Sequence, residues 1–270
     1  MNARPPLEHL ADTQSSHDHR SVAIDAVGVK GVRYPIRVRS GAHEQSTIAV
    51  IDMTVALAAD IKGTHMSRFI ELLESIQGEV LDLAGLSALA TDMVMRLQAS
   101  QGCITLRFPY FVRKSAPVSG AQSLLDCDVL WQARVDGLPG SVLQMAVSTP
   151  VTSLCPCSKA ISREGAHNQR SITRIQAQLN QPMSVEDLVA IAESSASCAV
   201  YGLLKRADEK YVTERAYDNP RFVEDMVREA TLSLGGDPRV AAFDIEIENL
   251  ESIHNHSAYA RVTRPALQLR

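Results

Sequence analysis

The chain has 270 residues, 45% hydrophobic and 21% charged, which is enough apolar material for a sizeable core in one large domain or two ordinary ones. Its 27 Lys and Arg against 31 Asp and Glu give a formal net charge of -4, which argues against a generally basic, nucleic-acid-coating surface and leaves room for a local anion pocket. No apolar stretch is long enough to span a bilayer, and residues 1–20 lack a signal-peptide core, so a soluble cytoplasmic protein with no membrane partner is expected. The five cysteines are an odd number without an export signal. They point to buried thiols, a metal ligand or a nucleophile rather than to a disulfide framework.

Residues 1–26 are polar, lack a sustained period and read as a flexible tail carrying His9, His17 and His19. From Gly28 the pattern changes. Alternation through Tyr34, Ile36 and Val38, then through "STIAVIDMTVALA", predicts two antiparallel strands joined by a turn at Ser40–Glu44. "THMSRFIELLESI" predicts a helix capped by Ser67, with Phe69, Ile70, Leu72, Leu73 and Ile76 on a broad apolar face. "LSALATDMVMRLQAS" predicts a second helix. "CITLRFPYFV" and "SLLDCDVLWQARV" return to strand periodicity, and Pro109 marks a bend or an edge.

The same order recurs after the Gly- and Pro-rich stretch at 136–140. "GSVLQMAVSTPVTSL" is a strand. "RSITRIQAQLN" reads as strand or helix, the strand resting on a modest alternation of Ile172, Arg174 and Gln176. Ser184 and Asp187 form a capping box before "VEDLVAIAESS". "NPRFVEDMVREATLSL" is an amphipathic helix stopped by Gly235, Gly236 and Pro238. "VAAFDIEIENL" and "SAYARVTRPAL" are the last strands. The result is an α+β chain with two copies of a β-β-α-α-β-β unit, alike in element order and not in sequence. With no low-complexity connector between them, the two units are expected in one compact body.

The most informative chemistry is Ser153-Leu154-Cys155-Pro156-Cys157-Ser158-Lys159, followed by "GAHNQR" at 165–170. A C-P-C element alone is equally a turn with two small residues, and it lacks the two-residue gap of a redox pair. His167 strengthens a metal reading, because thiolate, imidazole and carboxylate together suit zinc or a similar divalent ion. A cysteine nucleophile served by His167 is a second possibility. Glu209 and Glu224 lie in charge-rich segments where most acids face water. His254 and His256 lie two apart between strands, so in extended backbone both point the same way. His65 precedes a helix and suits either an anion site or a helix-entry hydrogen bond.

Six segments taken together carry a resemblance: "THMSRF" at 64–69, "SLCPCSK" at 153–159, "GAHNQRS" at 165–171, "LLKRADEKYVTE" at 203–214, "NPRFVEDMVR" at 219–228 and "ESIHNHSAYA" at 251–260. Over nearly all of 27–268 the chain resembles the type IB GTP cyclohydrolase I family, a prokaryotic branch of the tunnelling-fold superfamily. The resemblance implies a tail over 1–26, a first tunnelling-fold module over 27–137 and a second over 138–270 that carries most metal ligands. Their antiparallel sheets would form barrels on oligomerisation, with active sites at the interfaces of a homotetramer.

It further implies conversion of GTP to 7,8-dihydroneopterin triphosphate and formate with a divalent metal, Zn²⁺, Mn²⁺ or Fe²⁺, that activates water. By resemblance Cys155, His167, Glu209 and His254 are the metal ligands, with Cys155 and His167 also at the chemistry. Glu224 holds the guanine ring. Lys159, Arg170, Lys205 and Arg206 are candidates for the triphosphate, with Arg163 and Arg68 as further basic groups. A nitrile reductase of the same superfamily would need a nucleophilic cysteine without this metal set. A purine-binding protein without activity would keep Glu224 and make no product.

Overall fold

A computed structural model describes residues 12–137 and 140–264. Residues 1–11 of the predicted tail, His9 among them, Leu138 and Pro139 of the central turn, and residues 265–270 lie outside the described residues. The elements are β1 (Ile24–Ser40), β2 (His43–Leu57), α1 (Met66–Glu74), β3 (Val80–Leu81), α2 (Leu83–Arg96), β4 (Gln101–Ser115), β5 (Gln122–Asp136), β6 (Val142–Leu154), α3 (Pro156–Ile161), β7 (Asn168–Leu179), α4 (Val185–Ser195), β8 (Cys198–Ala199), α5 (Arg206–Asp218), α6 (Val223–Gly235), β9 (Val240–Asn249) and β10 (Ala258–Arg264). Among the described residues, no helix is long and apolar enough to cross a membrane.

The strands form one sheet in the order β10-β9-β7-β6-β5-β4-β2-β1-β3, with the short β8 paired to β6. Every pairing is antiparallel except that of β1 with β3. Strict alternation makes the sheet one-sided: in β5, Leu125, Cys127, Val129, Trp131, Ala133 and Val135 are buried while the residues between them are not. The helices cover that face. One contiguous core joins both halves, including Met53, Phe69 and Trp131 from the first and Val151, Met226 and Ile245 from the second. Helix α4 ties them further. Its Glu186 accepts from Tyr110 Oη at 2.6 Å and Ser40 Oγ at 3.1 Å, and its Glu193 pairs with Lys114.

Local chemistry explains most boundaries. Gly41, at φ +55°, takes the left-handed backbone of the tight turn whose flanking residues Ser40 and His43 pair. The Ser184–Asp187 capping box forms as expected: Asp187 N donates to Ser184 Oγ at 3.1 Å and Ser184 N to Asp187 Oδ2 at 2.9 Å. Pro109 does mark an edge. The β2–β4 ladder stops at Arg107, and beyond it side chains take over, Thr47 Oγ1 donating to Pro109 O at 2.9 Å and Gln45 bonding Phe111 through both amide ends.

Two local readings need correction, and one helix carried no signal in the sequence. Ser67 does not cap α1: the helix starts at Met66, so Ser67 is already inside its first turn, and His65 holds the cap position without a capping side-chain bond. "RSITRIQAQLN" is strand, but its buried face is Ser171, Thr173, Ile175 and Ala177, the opposite face from the one the alternation suggested. The charge-rich 206–218 stretch is helix α5, which has only Asp208 and Ala216 buried and so no apolar stripe to reveal it. Within the predicted tail, residues 14–18 bond to 60–63, with Asp18 N donating to Asp60 O at 2.8 Å and Lys62 N to Ser16 O at 3.0 Å, and β1 opens at Ile24.

Candidate active site

Strands β6 and β7 are paired to their ends, Leu154 opposite Asn168. The connection between them holds the C-P-C element and the histidine. Pro156 opens α3, where a fixed φ and a missing N–H cost nothing. Cys155 therefore sits at the helix cap, and its Sγ accepts from Ser158 N at 3.5 Å. Three bonds then close the loop on itself. Cys155 N donates to His167 O at 3.1 Å, Ser158 Oγ donates to Cys155 O at 3.2 Å, and His167 N donates to Ser158 Oγ at 3.2 Å. Cys155 and His167 are thus tied into one small unit, both half-buried, whereas Cys157 is exposed.

Behind His167 lies a polar stripe that the sequence did not disclose. His167 Nδ1 is 3.0 Å from Gln169 Oε1 and 3.9 Å from Glu251 Oε2. Gln169 Nε2 donates to Ser153 Oγ at 2.9 Å and to Glu251 Oε1 at 3.4 Å. Ser171 Oγ lies 2.9 Å from Ser153 Oγ and 2.7 Å from Asn249 Oδ1. Ser153, Gln169, Ser171 and Asn249 are all buried, so each bond replaces one that water cannot supply. The available signal was polar residues at two-residue spacing, Gln169, Ser171 and Thr173, on what proves to be the buried face of a strand.

Helix α5 packs beside this unit. Its Val212 and Ala216 meet Leu154, Ala166 and Cys198 in a small apolar cluster. Glu209 lies three and seven residues before them, on the same helical stripe, and is exposed. Gly202 lets the chain reach this place, since a Cβ there would stand 2.6 Å from Leu124 O. Asp208 anchors the start of the helix. Its Oδ1 accepts from Val118 N and Ser119 N, each at 2.8 Å, and its Oδ2 from Ser119 Oγ at 2.6 Å and Lys205 N at 2.8 Å. Burial pushes this carboxyl up, but the donors from Ser119, Lys205 and Val118 outweigh it and hold it well below the usual 3.8.

The depressed pKa of Asp208 fixes the sign of a pH effect. Its stabilisation is present above the ordinary carboxylate value and is lost as pH falls below about 4 towards the lowered folded value. The Asp208→Asn variant is therefore expected to show a denaturation midpoint below wild type at neutral pH, with the gap narrowing as pH falls from 4 to 2. Urea titrations across that range check it.

The remaining candidates fall around the same end of β6. Lys159 Nζ donates to Tyr217 O and stands 4.2 Å from the centre of the Tyr217 ring, which holds it against α5. Arg221 N donates to Leu154 O at 3.0 Å, and Asn219 Nδ2 donates to Ala196 O at 2.9 Å, so the entry to α6 is stapled beside Cys155. Glu224 lies in the first turn of α6 and is exposed, as are Arg163, Arg170, Lys205 and Arg206. Leu250 N donates to Arg170 O at 2.9 Å and Glu251 reaches His167, so the loop carrying His254 and His256 begins at the site. The two rings stack at 5.1 Å with 13° between their planes, although residues 252–256 are a run of bends and not an extended segment.

His65 and Arg68 lie apart from this group. They line a cavity of about 480 Å³ in the first half, where His65 Nε2 is 3.3 Å from Asp12 Oδ2 and Arg68 donates to Arg96 O at 3.2 Å. Among the described residues, no three of His, Cys, Asp and Glu converge closely enough to hold a metal ion. The chain brings Cys155 and His167 together. It sets Glu209 and His254 on neighbouring elements without closing them onto the pair.

The chain is similar over the fold to uricase from Arthrobacter globiformis (TM-score 0.55, 9% identity, 91% of this chain and 95% of that one). It is also similar to urate oxidase from Bacillus sp. TB-90 (TM-score 0.52, 9% identity, 89% and 99%). These likenesses concern architecture alone: a tunnelling-type α+β fold built on a large antiparallel sheet. In sequence, it is 55% identical over 263 residues to GTP cyclohydrolase FolE2 1 of Dechloromonas aromatica (strain RCB), covering 97% of this chain and 98% of that one. It is 51% identical over 260 residues to GTP cyclohydrolase FolE2 of Neisseria gonorrhoeae (strain ATCC 700825 / FA 1090), covering 96% and 100%. The family model described as type I GTP cyclohydrolase folE2 matches residues 10–260, so the chain belongs to that family.

Proposed function

We propose that this protein is a GTP cyclohydrolase I, converting GTP to 7,8-dihydroneopterin triphosphate and formate with a divalent metal held by Cys155, His167, Glu209 and His254. Family membership over nearly the whole chain carries the activity. The observation that supports the metal is the direct bond between Cys155 N and His167 O, which locks a soft sulfur donor and an imidazole into one loop. That donor set fits Zn²⁺, Mn²⁺ or Fe²⁺. When bound, such an ion acts as a Lewis acid and makes water a nucleophile near neutral pH.

The chain's own side chains supply the rest. Glu224, exposed and unencumbered in the first turn of α6, accepts the guanine N1–H and 2-amino hydrogens. Lys159, Arg170, Lys205 and Arg206 meet the triphosphate, Lys159 positioned by Tyr217. His167 or a histidine of the 254–256 pair moves protons during opening of the imidazole ring.

Assembly belongs to the same reading. The residues divide into tunnelling-fold modules over 27–137 and 138–270, and the sheet edges at β10 and along β1, which the two-residue β3 covers only at Arg37 and Val38, join between chains to make a barrel in a homotetramer. The incomplete gathering of the four ligands within one chain favours interface sites. An anaerobic assay with GTP and, in turn, Mn²⁺, Zn²⁺ and Fe²⁺ tests the function. Formate and dihydroneopterin triphosphate are expected in equal amounts with at least one metal; neither product under any metal rejects it.

A further inference from the structure

We propose that Gln169 is a positioning residue that fixes His167 as the Nδ1–H tautomer and so presents Nε2 to the metal; this rests on the metal reading above. The geometry behind it is a hydrogen-bond polarity with one consistent solution. The nearest partner of His167 Nδ1 is the Gln169 amide at 3.0 Å, since Glu251 Oε2 at 3.9 Å is beyond hydrogen-bond reach. An amide offers either an acceptor or a donor to that nitrogen, and the far side of Gln169 decides which.

There the amide meets Glu251 Oε1 at 3.4 Å and Ser153 Oγ at 2.9 Å. A carboxylate has no proton to give, so the Gln169 –NH₂ must face Glu251. Turning the amide over would set its carbonyl oxygen against the carboxylate. With –NH₂ towards Glu251, Oε1 faces His167 and can only accept, which places the ring proton on Nδ1. Ser171 Oγ lies 2.9 Å from the Ser153 hydroxyl that receives Gln169 and 2.7 Å from Asn249 Oδ1, and donates its one proton to one of the two. Burial of Ser153, Gln169, Ser171 and Asn249 removes water as an alternative partner along this network. The imidazole lone pair is then left on Nε2, the nitrogen pointing away from the network. An acceptor held against the far nitrogen of a ligating histidine raises its basicity and fixes its aim.

The test uses full-length protein labelled with ¹⁵N-histidine and stripped of metal, at about pH 8, where an ordinary imidazole is neutral. His167 is assigned with a His167→Gln control. Wild type is expected to show His167 as the Nδ1–H tautomer. Gln169→Met, similar in length and without an acceptor for the ring N–H, is expected to shift it to Nε2–H and to weaken metal affinity by roughly 10- to 100-fold in chelator competition. The double variant Q169E/E251Q reverses the polarity of the Gln169–Glu251 contact while keeping an acceptor beside Nδ1, and is expected to restore both readouts. An Nε2–H tautomer in wild type, or an Nδ1–H tautomer and undiminished affinity in Gln169→Met, overturns the assignment. Failure of the metal reading would show separately, as wild type that takes up no ion dependent on Cys155, while the metal-free tautomer spectra still judge Gln169.

Discussion

Replacing Cys155 with alanine is expected to remove the bound ion and to lower kcat/KM for GTP by roughly 10³-fold or more. The size follows from what the ion does, since Lewis-acid stabilisation worth several kcal/mol corresponds to about three decades in rate. The fold should survive. The Cys155 side chain makes one weak bond, to Ser158 N, while the backbone bonds that join Cys155 to His167 and Lys159 remain in the variant. Metal content by mass spectrometry of the intact protein, read beside the thermal midpoint, separates loss of the ion from loss of structure. Activity and metal equal to wild type would remove Cys155 from the site. Cys157 serves as an internal control: it is exposed and two residues along the chain, so a general thiol effect would touch both.

Glu224→Gln is expected to lower kcat/KM for GTP by about 10²- to 10⁴-fold. A carboxylate accepts two hydrogens from the guanine edge, each such charge-assisted bond being worth about 1.5–3 kcal/mol. The amide keeps one acceptor and turns a donor towards the other hydrogen, so one bond loses its charge assistance and the other becomes a donor–donor contact. Structural cost should be small, within about 0.5 kcal/mol, because the side chain is exposed on the first turn of α6 and the buried face of that helix is Val223, Met226, Val227 and Ala230. Comparison with inosine triphosphate, which lacks the 2-amino group, gives the sharper readout. Wild type should prefer GTP strongly and the variant should not. An unchanged preference would move guanine recognition elsewhere.

How much of this could be read from the chain depended on whether burial and polarity agreed. In β5 they agree at every position from Leu125 to Val135 but Leu130, and the strand was plain. Ser184 and Asp187 are local chemistry, and the capping box was equally plain. Strand β7 defeated periodicity because its buried face opens with Gln169, Ser171 and Thr173, so the apolar residue that caught the eye, Ile172, points the other way. Helix α5 was hidden for the opposite reason: it packs through little more than Ala216 and an anchored carboxylate.

The site divides in the same manner. Cys155 and His167 were legible as a pair because their residue types are rare and their spacing is short. Gln169, Glu251 and Asp208 were not, because a single glutamine or acid carries no signal until the fold decides what it faces. Glu209 was found through resemblance alone; it is one acid among several in a charge-rich helix, and its place in line with Val212 and Ala216 sets it apart.

X-ray absorption at the metal edge of the loaded protein tests the centre of this account most directly. One sulfur scatterer at about 2.3 Å with nitrogen or oxygen neighbours at about 2.0–2.2 Å is expected for zinc, and the sulfur should vanish in a Cys155→Ser protein reloaded with the same ion. A first shell of nitrogen and oxygen only in wild type would contradict it.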